Sequence, residues 1–404
     1  MSWLSKISDA TARLESPESF WYWSFLAAIS AVVKDNIWLE RDGAFQLYPN
    51  IYVMLLARSG LKKGPPIRLA KDLVKVVKNT RIISGRSSIQ GILKELGTGY
   101  TIEGQAPMTK SVGFVVASEF TSSLVEDRAA MTILTDLYDR HWNEGEWKSL
   151  LKMETFKLKD PTLSMLVATN NPHFKDFVPE KDVLGGFIGR MFVIAEDKRR
   201  CLNPLIRKTD LFKILNELKE GLREYMIGLG NLKGEFIIEE DAIRRYETWY
   251  SDFYHKIDAQ DYVDDTGTVD RFGDSVLKVA MLISLASDPE LRINNNSMEE
   301  AILVCEKLVG NIRKVTLGKG GKSSMSFQKT LIIEELLKRE PHEISREILL
   351  KKYWMHFGHE ELDTMMVSFK DAGLITTEIH GATTMFIMPD AVVEKLQKFM
   401  EGKG

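Results

Sequence analysis

Between residues 47 and 195, short apolar runs alternate with stretches of helical periodicity, the pattern of an α/β sheet with helices on its faces. Segments 51–56, 81–83, 112–117, 163–168 and 191–194 are the predicted strands. Polar or small residues follow each of the first four, where an open α/β sheet places its ligands. Residues 1–40 read as helical. Ser16-Pro17-Glu18 predicts a helix start, with Ser16 as N-cap and Pro17 in the first turn. The run 20–33 then carries Phe20, Trp21, Tyr22, Trp23 and Phe25, a packing face for a buried helix. It is short for a bilayer span, and its flank lacks the basic region of a signal peptide.

Helical periodicity returns over 208–317, most strongly in the apolar segment 276–283. Gly318-Lys319-Gly320-Gly321-Lys322-Ser323-Ser324 reads as a flexible basic linker. Beyond it the pattern predicts three helices, the second over 343–353 and the third over 360–372. A hairpin of 376–379 with 384–388 around Gly381 follows. That order resembles a winged helix-turn-helix. The expected organisation is an N-terminal helical lead-in (1–45), an α/β core (46–204), a helical lid (205–317), a linker (318–325) and the winged tail (326–404).

Composition narrows the possibilities. The 404 residues carry a net charge of −3, with 44% hydrophobic and 27% charged residues. That balance fits a soluble globular chain of two or three domains and gives no global basic field for nucleic acid. The two cysteines, Cys201 and Cys305, match no metal-ligand spacing and argue for a reducing cytoplasm, host cytoplasm if the chain is viral.

The candidate chemistry begins where the first core strand runs into Ser59-Gly60-Leu61-Lys62-Lys63-Gly64-Pro65. Backbone N–H groups and a lysine at a helix N-terminus are the parts of a phosphate-binding loop. The match is partial: Lys63 occupies the lysine position, while Gly64 stands where a hydroxyl residue would ligate magnesium. Gly113-Phe114-Val115-Val116-Ala117-Ser118-Glu119 has the shape of an apolar strand ending in an acid that orients water. Ser118 stands where an aspartate would support the metal. Asn171, after the 163–168 strand, can hydrogen-bond a γ-phosphate, although Asn-Asn-Pro also makes an ordinary turn. Arg190, before the last strand, can reach a neighbouring subunit's nucleotide or pair with a local carboxylate.

Taken in order, these segments resemble the ATPase core of AAA+ ring helicases, specifically the minichromosome maintenance helicases and related phage and mobile-element ATPases. Ser59-Gly60-Leu61-Lys62-Lys63 is similar to that family's P-G-T-A-K, Val116-Ala117-Ser118-Glu119-Phe120 to its I-D-E-F, and Asn171-Pro172 to the N-P of its first sensor. Gly189-Arg190-Met191 resembles its S-R-F. Thr268-Val269-Asp270-Arg271-Phe272 resembles the helix carrying a second sensor arginine. The likeness spans residues 50–285 and implies a P-loop AAA+ fold binding ATP and Mg²⁺, with Glu119, Asn171, Arg190 and Arg271 catalytic. It also implies a homo-oligomeric ring, a hexamer, in which Arg190 acts in trans.

In the resembled helicases the interval before the sensor strand is a hairpin that touches DNA, which makes Lys152 and Lys157 the DNA-binding candidates; two solvated lysines are the plain alternative. In the tail, Lys351, Lys352 and Lys370 favour DNA, whereas Glu360, Glu361 and Asp363 favour a contact with other replication proteins. The expectation is therefore an ATP-driven helicase or translocase on single-stranded or forked DNA, with no membrane partner. Because Gly64 and Ser118 weaken metal support, a hydrolysis-impaired initiator or helicase loader is the alternative. A packaging or transposition ATPase shares the same core.

Overall fold

In the computed structural model all five predicted runs become strands of one parallel sheet. The structure describes residues 2–41, 43, 45–78, 80–85, 88–97, 110–119, 128–139, 146–150, 155–170, 187–203, 210–258, 269–316, 325–353, 358–381 and 383–400. The chain opens with α1 (Trp3–Thr11), α2 (Glu18–Val33), β1 (Ile37–Arg41) and β2 (Phe45–Leu47). The sheet then alternates strand and helix: β3 (Tyr52–Leu56), α3 (Gly64–Val74), β4 (Arg81–Ser84), α4 (Ile89–Gly97), β5 (Val112–Ala117) and α5 (Arg128–Asp139). A hairpin of β6 (Glu146–Leu150) and β7 (Thr155–Lys159) precedes β8 (Thr162–Thr169) and β9 (Met191–Ala195). The rest of this unit is mainly helical: α6 (Asp210–Leu229), β10 (Gly234–Glu235), β11 (Ile237–Ile238), α7 (Glu240–Asp258), α8 (Phe272–Ser287), β12 (Arg292–Ile293) and α9 (Asn295–Thr316).

The strand order is β4-β5-β8-β3-β9, all parallel. Every residue of β3 and of β8 is buried, because helices cover both faces and a parallel strand so placed can be apolar throughout. Gly113 belongs to that packing: a Cβ there would meet the Leu96 side chain of α4 at 2.5 Å, so any larger residue would make that side chain shift.

Helix α2 is the central buried element. Only Glu18, Ser19 and Tyr22 escape burial, which is how a helix apolar all round must sit. Trp23 stacks on Phe192 of β9 at 5.2 Å, and the Ser30 hydroxyl meets that of Ser164 at 2.7 Å and accepts from the Ile51 N–H. Each large side chain buried here contributes about 1.5–3 kcal/mol. The expected cap is not made. Pro17 is the cap residue, and the Ser16 hydroxyl instead donates to the Lys62 carbonyl. Residues 37–41, read as helical, form a strand because β2 and β10 pair with them on either side. Lead-in, sheet and helical region share one apolar core within a compact unit of residues 1–312.

The second unit, residues 313–404, has its own core around Leu349, Leu362, Met365 and Phe386. It runs α10 (Met325–Leu337), β13 (Glu343–Ser345), α11 (Arg346–Tyr353), α12 (His359–Asp371), β14 (Thr376–His380), β15 (Thr383–Ile387) and α13 (Asp390–Met400). Residues 343–345 are a strand rather than the expected first turn of a helix, since they pair with β15. The Ser345 hydroxyl then accepts from the Ile348 N–H at the start of α11. Among the described residues no helix is long and apolar enough to cross a membrane.

Candidate phosphate-binding cleft

Strand β3 ends at Leu56, and Ala57–Lys63 turn the chain into α3. Two left-handed residues make that turn, Gly60 (φ +85°) and Lys62 (φ +55°). Glycine adopts such an angle freely, whereas lysine needs outside support. Support comes from the buried Leu61 below, the Ser16 hydroxyl on the Lys62 carbonyl, and Glu15 beside the Lys62 ammonium at 3.9 Å. The N-terminal lead-in thus holds the loop in shape.

The Lys63 ammonium folds back across the loop and donates to the carbonyls of Ala57 (2.6 Å) and Arg58 (3.2 Å). Burial lowers its pKa, and the nearby Glu119 carboxylate partly counters that. The helix begins at Gly64 with prolines in its first turn. Pro65 and Pro66 suit that position, yet neither has an N–H, so two of the usual donors of an anion-binding helix end are missing. A phosphate here would depend on the amides of 60–64 and on Lys63.

Ser118 and Glu119 follow β5 directly and are both exposed. They line a cleft of about 660 Å³ together with Gly64, Arg68, Lys71 and Ser84. Strand β8 lies between β3 and β5, so the loop and Glu119 stand about 10 Å apart, two strand spacings. Asn170, half-buried, stands at the tip of that intervening strand, and Thr169 accepts from the Ala57 N–H at 3.4 Å. Asn171 lies outside the described residues.

Arg190 lies away from the loop of its own chain. Arg190 immediately precedes β9, whose first residue pairs with Tyr52, the first residue of β3. It therefore sits at the N-terminal edge of the sheet, about 16 Å along the strands from the loop. Its guanidinium clasps both oxygens of Asp139 at the end of α5, with 6% of the side chain exposed. To extend to a neighbouring molecule, as the resemblance implies, this guanidinium would have to leave Asp139. Arg271, at the cap of α8, acts electrostatically on Tyr138 together with Asp139, Arg190 and Asp274. Lys278 completes this network, donating to the side chain and carbonyl of Asn50 and lying 3.8 Å from the Tyr138 ring centre.

The hairpin expected before the sensor strand is present. Lys157 is exposed on β7 and directly opposite Lys148 of β6, an unfavourable like-charge pairing on a single face. Lys152 lies outside the described residues. In the second unit, Lys352 bonds Glu335, and Arg346 bonds Asp363, so part of that tail's charge is internally paired.

Three features escaped the sequence reading: the clamp from Glu15 and Ser16, the Lys71 ammonium on the Ser84 hydroxyl at 3.0 Å, and the basic row of α3. The spacing of Arg68, Lys71 and Lys75 at i, i+3 and i+7 was the available signal for the last. Among the described residues no three His, Cys, Asp or Glu side chains gather to hold a metal. Magnesium would fit here only as Mg²⁺ usually enters such sites, with one carboxylate, Glu119, and phosphate oxygens supplying the rest. Comparison of the chain with protein-family models and with curated proteins finds no match.

Proposed function

We propose that the first unit is a P-loop nucleoside-triphosphatase core of AAA+ type, and that ATP binding at Lys63 drives work on DNA as a helicase or translocase. The observation that carries this reading is the strand order. Strand β8 separates the loop strand from the strand ending in Glu119. That leaves a gap wide enough for a terminal phosphate and an attacking water between Lys63, Asn170 and Glu119. In this assignment Lys63 and the loop amides take the β- and γ-phosphates, Glu119 orients the water, and Ser118 contributes a hydroxyl beside the metal. The second unit supports a winged helix-turn-helix reading through its order of helix, strand, two helices and hairpin. Its place is contact with DNA or with another replication protein.

The test separates binding from turnover. Lys63→Ala should weaken binding of a fluorescent ATP analogue at least tenfold. Glu119→Gln should bind it normally and release phosphate at least a hundredfold more slowly, the scale set by loss of a positioned base. Full phosphate release by Glu119→Gln would refute the assignment. The second reading, a nucleotide-gated initiator or loader, is favoured by Gly64 and Ser118, which remove a hydroxyl and a carboxylate from the metal's surroundings. Tight analogue binding by the wild-type chain, with no steady-state release at saturating magnesium and DNA, would select it.

A further inference from the structure

The cleft beside Glu119 extends well past the loop, and its far wall is a row of cations along α3, ending at its C-cap Lys75. Arg68 and Lys75 are exposed, Lys71 is half-buried with its ammonium on the Ser84 hydroxyl, and all three line the cleft. Seven residues of helix make the row about 10 Å long. Among the described residues no ion pair engages Arg68 or Lys75. Asp72 and Glu119 are the acids of the lining, so the wall carries more positive than negative charge. Gly85, at φ +98°, closes the cleft where β4 ends.

We infer that this wall binds the sugar–phosphate backbone of a single-stranded nucleic acid. A row of cations, two of them without an ion-pair partner among the described residues, suits a chain of repeated phosphates, and binding gains from the counterions released. A recess of 660 Å³ between a helix and the strand ends admits one strand, while a duplex would rest only on its rim. The row lies along the helix that directly follows the candidate phosphate loop. One rigid eleven-residue helix, α3, therefore links the nucleotide loop to the strand contact. That coupling rests on the nucleotide reading above; the binding itself does not. It also differs from the hairpin assignment, because the base of the β6–β7 hairpin joins the opposite end of the sheet, where the Ser111 N–H donates to the Lys159 carbonyl.

The test is fluorescence anisotropy of labelled oligo(dT) over a salt series, using the full chain without nucleotide. Arg68→Gln with Lys75→Gln should weaken binding about tenfold at low salt and reduce the magnitude of the salt slope by about 1.4, for two lost contacts at about 0.7 each. Arg68→Lys with Lys75→Arg should restore both, which separates charge from folding. Binding of the ATP analogue should be unchanged in all of them. An unaltered affinity and slope, or absence of oligo(dT) binding by the wild-type chain, would overturn the inference. So would a parallel loss of the ATP analogue, which would place the row inside the nucleotide site. Failure of the nucleotide reading shows separately, as retained analogue binding in Lys63→Ala.

Discussion

The two edges of the parallel sheet handle charge in opposite ways. At the N-terminal edge, Arg190 and Asp139 form a buried bidentate pair, Lys278 is 5% exposed and bonded to Asn50, and Tyr138 packs against that ammonium. At the C-terminal edge, Ser118, Glu119, Arg68 and Lys75 are exposed to a cleft, and among the described residues Lys63 hydrogen-bonds only to carbonyls of its own loop. The first arrangement spends its charges on holding α5, α8 and the sheet together. The second leaves them where a ligand can use them, at little benefit to the fold. Residue type alone does not separate the two: an arginine, a lysine and a carboxylate stand at both edges.

The largest expected effect breaks the first edge. Arg190→Ala should destabilise the first unit by about 3–5 kcal/mol, because Asp139 would lose its bidentate counter-charge in a mostly buried position. Asp139→Ala should cost a similar amount, and the double variant clearly less than the sum of the two. Denaturant unfolding of the three variants measures this. Wild-type stability in Arg190→Ala, with loss of ATP turnover alone, would show that the guanidinium serves a ligand after all.

A smaller effect is expected across the sheet. Lys63→Ala removes one part-buried and one exposed hydrogen bond to loop carbonyls, so its stability should change by about 1–2 kcal/mol while nucleotide affinity collapses. A loss comparable with that of Arg190→Ala would erase the contrast between the edges.

The same contrast marks what was legible in the sequence. The strands were readable because buried parallel strands are written as uninterrupted apolar runs, and 112–117 matches β5 residue for residue. The loop was readable as Gly and Lys between a strand and a proline-started helix. Burial of Arg190 was not, since its partner Asp139 is 51 residues away and only the packing of α5 brings them together. Gly189-Arg190-Met191 reads alike for a rim arginine and for a buried one. Residues 343–345 were misread because Glu-Ile-Ser carries no strand signal until β15 lies beside it. The role of Ser16 was hidden for the same reason: its acceptor, the Lys62 carbonyl, is 46 residues on.

The smallest and most specific effect is on pH dependence. Burial lowers the Lys63 pKa, and Glu119 only partly restores it. A lowered lysine pKa means that the fold disfavours the protonated form, so this group adds a little stability as pH rises through that value. Nucleotide binding runs the other way, since the triphosphate needs the ammonium. Affinity for the ATP analogue should therefore begin to fall below the pH at which an ordinary lysine titrates, about 10.4. The opposite edge stays silent over that range, because burial pushes the hydroxyls of Tyr52 and Tyr138 upward and keeps them neutral. Binding should thus be lost without unfolding, a combination read by titrating analogue fluorescence alongside circular dichroism. Lys63→Arg should hold affinity flat across the window. Glu119→Gln removes the carboxylate that supports the ammonium and should move the midpoint to still lower pH; an unmoved midpoint would mean that Lys63 and Glu119 do not face a common ligand.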